Sequence, residues 1–102
     1  MQDGLKTKII NALKMVYDPE IPVNIYDLGL IYTIDINDNQ EVAIQMTLTS
    51  PNCPEAQTLP GMVQTAALNV ESVNQVRIDL VWEPAWTKEL MSEDAKALMG
   101  LI

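Results

Sequence analysis

Cys53 is the only cysteine of a 102-residue chain that has no histidine. It sits in Pro51-Asn52-Cys53-Pro54, after a run that alternates like a strand and before a stripe that recurs like a helix. The flanking prolines stiffen the backbone and hinder burial of the loop. Free N–H groups at a helix N-terminus carry partial positive charge, and a thiol held there has a lowered pKa. The thiolate so favoured is the form that ligates metal or attacks an electrophile. The same position also suits an inert cysteine that packs as a small hydrophobe.

One sulfur does not hold an iron–sulfur cluster, which is usually bound by four thiolates. A metal role at Cys53 therefore means a transient, shared site. Its other ligands would come from a second copy of the chain, small thiols, carboxylates or a partner protein. The missing histidine removes Cys–His and Ser–His–Asp catalysis. It also removes the commonest protein ligand for zinc and non-haem iron. A lone cysteine rules out an internal disulfide.

Asp18, Glu20 and Asp27 put three carboxylates into one proline-containing stretch. They suit metal ligation, proton transfer or partner contact, and equally the local work of bonding backbone N–H groups in turns. Thr47 and Thr49 end the strand that leads to Cys53. A hydroxyl there could donate to a thiolate or sulfide, although strand preference alone also accounts for threonine. Trp82 falls on the apolar side of its strand and is expected in the core. Trp86 suits an anchor for the C-terminal segment or a contact with a partner chain, because indoles favour interfaces. The scattered methionines read as core filler.

The elements that must position these residues follow from periodicity. Asp3 can cap a first helix that runs to about Val16 or Tyr17, with Leu5, Ile9, Ala12, Leu13 and Val16 on one stripe. Asp18-Pro19 stops it, and the stretch to Gly29 reads as a long loop. Gly29 supplies an unusual backbone angle just before the first strand. Leu30, Tyr32, Ile34 and Ile36 alternate, and so do Val42, Ile44, Met46 and Leu48. Asn37-Asp38-Asn39-Gln40 between them reads as a hairpin turn, so this pair is antiparallel. After Cys53 a short turn at about 54–58 precedes a main helix from about 59 to 70, with Pro60 tolerated in its first turn. The kink expected there shortens the dipole aligned on the thiol. A third strand is expected from about Asn74 to Trp82. A last helix is expected with Ser92 as cap, Glu93 and Asp94 at its positive end and Gly100 as its stop.

These elements predict an α+β fold of order α-β-β-α-β-α: a three-stranded, mostly antiparallel sheet with helices on one face, in one domain over residues 1–102. Six basic against fourteen acidic side chains give a net charge of −8. That balance argues against nucleic-acid binding, which needs cations to displace counterions from phosphates. It favours solubility and the steering of a basic protein partner. No apolar stretch approaches the length needed to span a bilayer, and the N-terminus lacks the zones of a signal peptide. The expected location is the cytoplasm.

Three motifs together resemble a known family. Asp18-Pro19-Glu20-Ile21-Pro22-Val23-Asn24-Ile25-Tyr26-Asp27-Leu28-Gly29-Leu30-Ile31 is similar to its opening signature. Thr47-Leu48-Thr49-Ser50-Pro51-Asn52-Cys53-Pro54 is similar to its cysteine loop. Val81-Trp82-Glu83-Pro84-Ala85-Trp86-Thr87, followed by Met91-Ser92-Glu93-Asp94-Ala95, is similar to its C-terminal signature. The family is the metal–sulfur cluster assembly factors, comprising the bacterial SufT and PaaD-like proteins and a eukaryotic cytosolic assembly component. The resemblance implies a part in maturing iron–sulfur proteins and makes Cys53 the important residue. It implies carboxylates at positions 18, 20 and 27 that shape the site, and partners among the assembly machinery and client apoproteins. Homodimers follow from the same analogy. The chain lacks the extra C-terminal cysteines of PaaD proper, and so departs from the phenylacetate ring-oxidation branch. It also lacks the phosphate-binding loop of the version fused to a cluster-carrier ATPase. A bare domain of this kind is most like SufT.

Two functions compete. In one, the protein assembles or transfers iron–sulfur clusters through a reactive Cys53, holding iron or a cluster transiently with Thr49 and the carboxylates shaping the site. In the other, it is a metal-free adaptor that docks clients to the machinery. An enzyme using Cys53 as nucleophile would lack a histidine base, and no enzymatic activity is expected.

Overall fold

In the computed structural model, residues 2–17, 23–48 and 58–100 are described, with side chains from Gly4 onward. The order is α1 (Gln2–Leu13), β1 (Ile31–Ile36), β2 (Glu41–Met46), α2 (Leu59–Leu68), β3 (Gln75–Leu80), a single 3₁₀ turn (Lys88–Leu90) and α3 (Glu93–Leu98). This is the α-β-β-α-β-α order read from periodicity. The three strands lie in the order β1-β2-β3. β1 runs antiparallel to β2, and β3 joins β2 in parallel. A parallel neighbour needs a crossover rather than a tight turn, and α2 supplies it.

One face of the sheet carries Ile34, Val42, Ile44, Met46 and Val76, all buried. The other carries Thr33, Asp35, Gln45 and Arg77, all exposed. Helices cover the apolar face. Leu5, Ile9 and Leu13 recur every fourth residue on α1, and Leu59, Val63 and Ala67 do so on α2; all six are buried. Lys6, Lys8 and Lys14 fall off that stripe and are exposed. Among the described residues no helix is long and apolar enough to cross a membrane.

The differences from expectation have local causes. Asp3 lies inside α1 rather than before it, because the helix already starts at Gln2. The helix ends at Leu13, since Met15 and Val16 donate to carbonyls only three residues back, at 3.1 and 3.0 Å. Val16 O then accepts from Ile25 N–H at 2.8 Å, and Tyr17 bridges to Asn24. Tertiary pairing thus takes over where periodicity alone would continue the coil. In the hairpin, Asn37 Oδ1 accepts from the N–H groups of Asn39 and Glu41 at 2.9 and 3.0 Å. The left-handed angle falls on Gln40 (φ 63°) rather than on an Asn or Asp. Trp82 is 43% exposed and not in the core. β3 is an edge strand ending at Leu80, so its alternation runs on past the helix that would have buried the indole.

Candidate functional site

The stretch from 23 to 30 is not a loose loop. Val23, Ile25, Leu28 and Leu30 are buried in the core. Asn24 sets its shape: its Oδ1 accepts from Asp27 N–H at 2.9 Å, and its Nδ2 donates to Asp27 Oδ2 at 2.7 Å. Leu28 N–H and Gly29 N–H return to Asn24 O and Tyr26 O at 2.9 and 3.1 Å. Lys14 Nζ stands 5.6 Å from the centre of the Tyr26 ring, within cation–π range. Asp27, half-buried, is thus held through its carboxylate by the side chain of Asn24.

The C-terminal segment is strapped across this turn. Trp86 Nε1 donates to Leu28 O at 2.7 Å. Ser92 N–H donates to Asp27 O at 2.8 Å. Tyr32 hydroxyl donates to Pro84 O at 2.7 Å. Gly29 adopts φ +89°, and a Cβ built on it would lie 2.5 Å from Leu90 O. Glycine is therefore required there twice, by its backbone angle and by the close approach of the strap. Trp86 anchors its own C-terminal segment and packs, half-buried, against the core. An open cleft of about 600 Å³ runs along the junction, lined by Tyr26, Asp27, Tyr32, Glu83 and Ser92 among others.

The end of β2 enters the same junction. Thr47 N–H donates to Leu30 O at 2.8 Å, and Val81 N–H donates to Met46 O at 2.8 Å. The strand leading to Cys53 is thus held between the other two motifs. A register shift between Ile31 and Thr33 sets Ile31 opposite Met46 and leaves Tyr32 as an extra residue on β1. Such a bulge re-aims a side chain, and the Tyr32 phenol reaches the strap. Burial raises the pKa of this phenol, while the neighbouring Thr47 hydroxyl acts in the opposite sense. Thr47 is 1% exposed, and its hydroxyl makes no hydrogen bond among the described residues. The Tyr32 proton is committed to Pro84 O instead.

Of the residues singled out in the sequence, Asp27 and Trp86 therefore meet at one junction. Cys53, Asp18, Glu20 and Thr49 lie outside the described residues. So does the short turn expected at 54–58. The described part of α2 starts at Leu59, with Pro60 in its first turn and no side-chain cap from Thr58. Among the described residues no group of three or more Cys, Asp or Glu gathers as a metal site. Sequence reasoning missed Asn24, Tyr32 and the backbone of Leu90. Asn24 stands three residues before Asp27, a spacing typical of a side-chain-closed turn. No local signal joins Tyr32 to Pro84, which are 52 positions apart.

A mixed three-stranded sheet whose opening and C-terminal motifs meet at the end of the strand that leads on to Cys53 defines a recognisable class. The family model described as iron–sulfur cluster assembly protein matches residues 6–80. The chain belongs to that family. It is 48% identical to an Fe-S protein maturation auxiliary factor of Porphyromonas gingivalis, over 92% of this chain and 90% of the relative. It is 36% identical to the Fe-S protein maturation auxiliary factor SufT of Staphylococcus aureus, over 85% of this chain and 99% of the relative. In structure it matches a domain of unknown function from Bacillus anthracis with a TM-score of 0.90 and 37% identity, over 98% of this chain and 95% of that one.

Proposed function

We propose that this protein matures iron–sulfur proteins by helping to assemble clusters or pass them to client apoproteins, with Cys53 as a labile ligand to the cargo. The observation that carries the reading is the convergence of motifs at the end of β2. Thr47 is tied to Leu30, Leu28 to Trp86 and Asp27 to Ser92, all beside the strand that runs on to Cys53. A rigid root suits a loop that must present one sulfur repeatedly in the same place. One protein thiolate leaves most positions around a cluster to other molecules, which favours handover over storage. Asp18, Glu20 and Thr49 shape the surroundings of the sulfur, and Trp86 is available to a partner through its exposed part. The protein acts in the cytoplasm, as a factor without enzymatic activity.

The test is anaerobic reconstitution with iron, sulfide and a small thiol, followed by the visible spectrum. Thiolate-to-iron charge-transfer bands are expected in the natural chain and absent in Cys53→Ala. Maturation of a client apoprotein should fall by tenfold or more in that variant, the cost of about 1.4 kcal/mol in a rate-limiting handover. Full maturation activity without Cys53 would leave the adaptor reading. That reading is favoured by one observation, the net charge of −8, which suits docking to a basic protein surface.

A further inference from the structure

The open cleft where the C-terminal strap crosses the turn is lined by charge of one sign. Asp27 and Glu83 both contribute to its lining. All six cations of the chain, Lys6, Lys8, Lys14, Arg77, Lys88 and Lys96, lie elsewhere. A cleft of single-sign charge walled by protein focuses the field in its mouth and draws in ions of the other sign. Among the described residues neither carboxylate is in an ion pair. Asp27 takes its side-chain bond from the neutral amide of Asn24.

Two carboxylates alone would suit any cation, and the rest of the lining narrows the choice. Tyr26 and Tyr32 bring two aromatic rings to the same cleft, and Ile31 and Leu90 add apolar surface. Ring faces attract cations. This junction already holds one in that way, with Lys14 Nζ 5.6 Å from the centre of the Tyr26 ring. The Tyr32 proton is committed to Pro84 O, so its phenol oxygen turns only lone pairs to a visitor. A divalent metal ion fits poorly, because it takes six or more oxygen ligands and no group of three carboxylates gathers among the described residues. A guanidinium fits well. It is planar and weakly hydrated, and it stacks on aromatic rings while its edge pairs with a carboxylate. Its three-carbon stem lies readily along apolar surface. Small-molecule sites enclose most of their ligand. This cleft is open, and so suits a side chain delivered by a larger body that supplies the missing cover.

We propose that this cleft docks an extended segment of a partner protein, with an arginine guanidinium seated among the Tyr26 and Tyr32 rings and the Asp27 and Glu83 carboxylates. Apolar neighbours of that arginine lie against Ile31 and Leu90. Asp27 keeps Oδ2 on Asn24 Nδ2 and gives its other oxygen to the guanidinium. The cleft is made jointly by the turn and the strap, which are joined by the bond from Ser92 N–H to Asp27 O. The partner therefore recognises the form in which the strap is seated. This docking rests on the reading of a factor that works on other proteins, but it makes no use of Cys53. A failed spectrum for the cluster and a failed titration here are thus separate results.

Titration of the nitrogen-15-labelled chain with the capped peptide acetyl-Ala-Leu-Arg-Leu-Ala-amide, followed by NMR, tests this. Amide shifts should saturate and centre on residues 26–33, 45 and 83. The same peptide with citrulline keeps the shape of arginine and loses its charge, and should bind about tenfold more weakly. Acetyl-arginine amide should bind about fivefold more weakly, since it covers only part of the cleft. Glu83→Lys and Gln45→Lys each put a cation into the lining at an exposed position, and each should weaken binding of the arginine peptide about tenfold. Asp38→Lys makes the same charge change as Glu83→Lys, but in the exposed hairpin turn, and should alter binding less than about twofold. Shifts that spread over the acidic surface without saturating overturn the proposal. So do equal losses in Glu83→Lys and Asp38→Lys. Equal binding of the citrulline peptide would remove the guanidinium, and equal binding of acetyl-arginine amide the partner segment; either overturns it too.

Discussion

At Gly29 two constraints meet on one α-carbon. The left-handed backbone angle costs any L side chain about 1–3 kcal/mol. A Cβ would also stand 2.5 Å from Leu90 O, a backbone atom with no flexible end to move aside. Gly29→Ala should therefore destabilise the fold by about 2 kcal/mol or more, read as a fall of roughly 1–2 M in the urea midpoint. A midpoint unchanged within error would mean that the strap is not seated on Gly29. This requirement was visible in the sequence, because glycine before a strand is a common sign of positive φ. The partner of Gly29 was not visible, since Leu90 lies 61 positions away and nothing about a leucine announces that its carbonyl matters. Asp27 shows the opposite case. Its carboxylate drew attention as a site residue, while the asparagine that holds it did not.

Among the elements, those fixed by their own residues were the most legible. Val42, Ile44 and Met46 alternate with the less buried Glu41, Ala43 and Gln45 and form a strand that is buried on one face. Ser92 caps α3 through its hydroxyl, which accepts from Ala95 N–H at 3.2 Å. Ser92→Ala should cost about 1 kcal/mol locally and speed amide exchange within α3 about fivefold. Exchange in β2 should stay unchanged, because the bond from Ser92 N–H to Asp27 O survives the substitution. Loss of protection in both elements would show that cap and strap act together. Less legible were the places where one element ends against another. α1 stops where the segment from Val16 to Tyr17 pairs with residues 24 and 25, and Tyr32 leaves its alternation at a bulge. Trp82 obeys the alternation, but β3 ends at Leu80 and the indole stays 43% exposed. Periodicity reports which face is apolar and says nothing of how far the covering helix extends.

For the whole molecule, the α-β-β-α-β-α order and one-sided cover followed from pattern, and the family followed from three motifs in order. The convergence of two of those motifs with the last residues of β2 is a property of topology. The parallel pairing of β3 places the C-terminal segment beside the end of β2, and from there it crosses to residues 27–32. pH dependence reads this arrangement as a unit, through Tyr32. Its phenol is raised above the ordinary value of 10.0, chiefly by burial. The protonated form is thus favoured by folding. Its contribution to stability is complete below pH 10 and is lost as pH rises through the folded value. Urea midpoints measured just below and just above pH 10 should therefore decline. Tyr32→Phe should flatten that decline while lowering the midpoint at both pH values, since the bond to Pro84 O is gone. An equal decline in the variant would assign the slope to another group.

The seating of Trp86 has a practical consequence. The chain carries two indoles in contrasting surroundings. Trp82 is open to water, whereas Trp86 is half-buried with its N–H engaged. Emission from the second is a built-in optical gauge of whether the tail is latched. Acrylamide should quench the two unequally, and a client or metal that prises the tail loose would announce itself as a red shift, without any label.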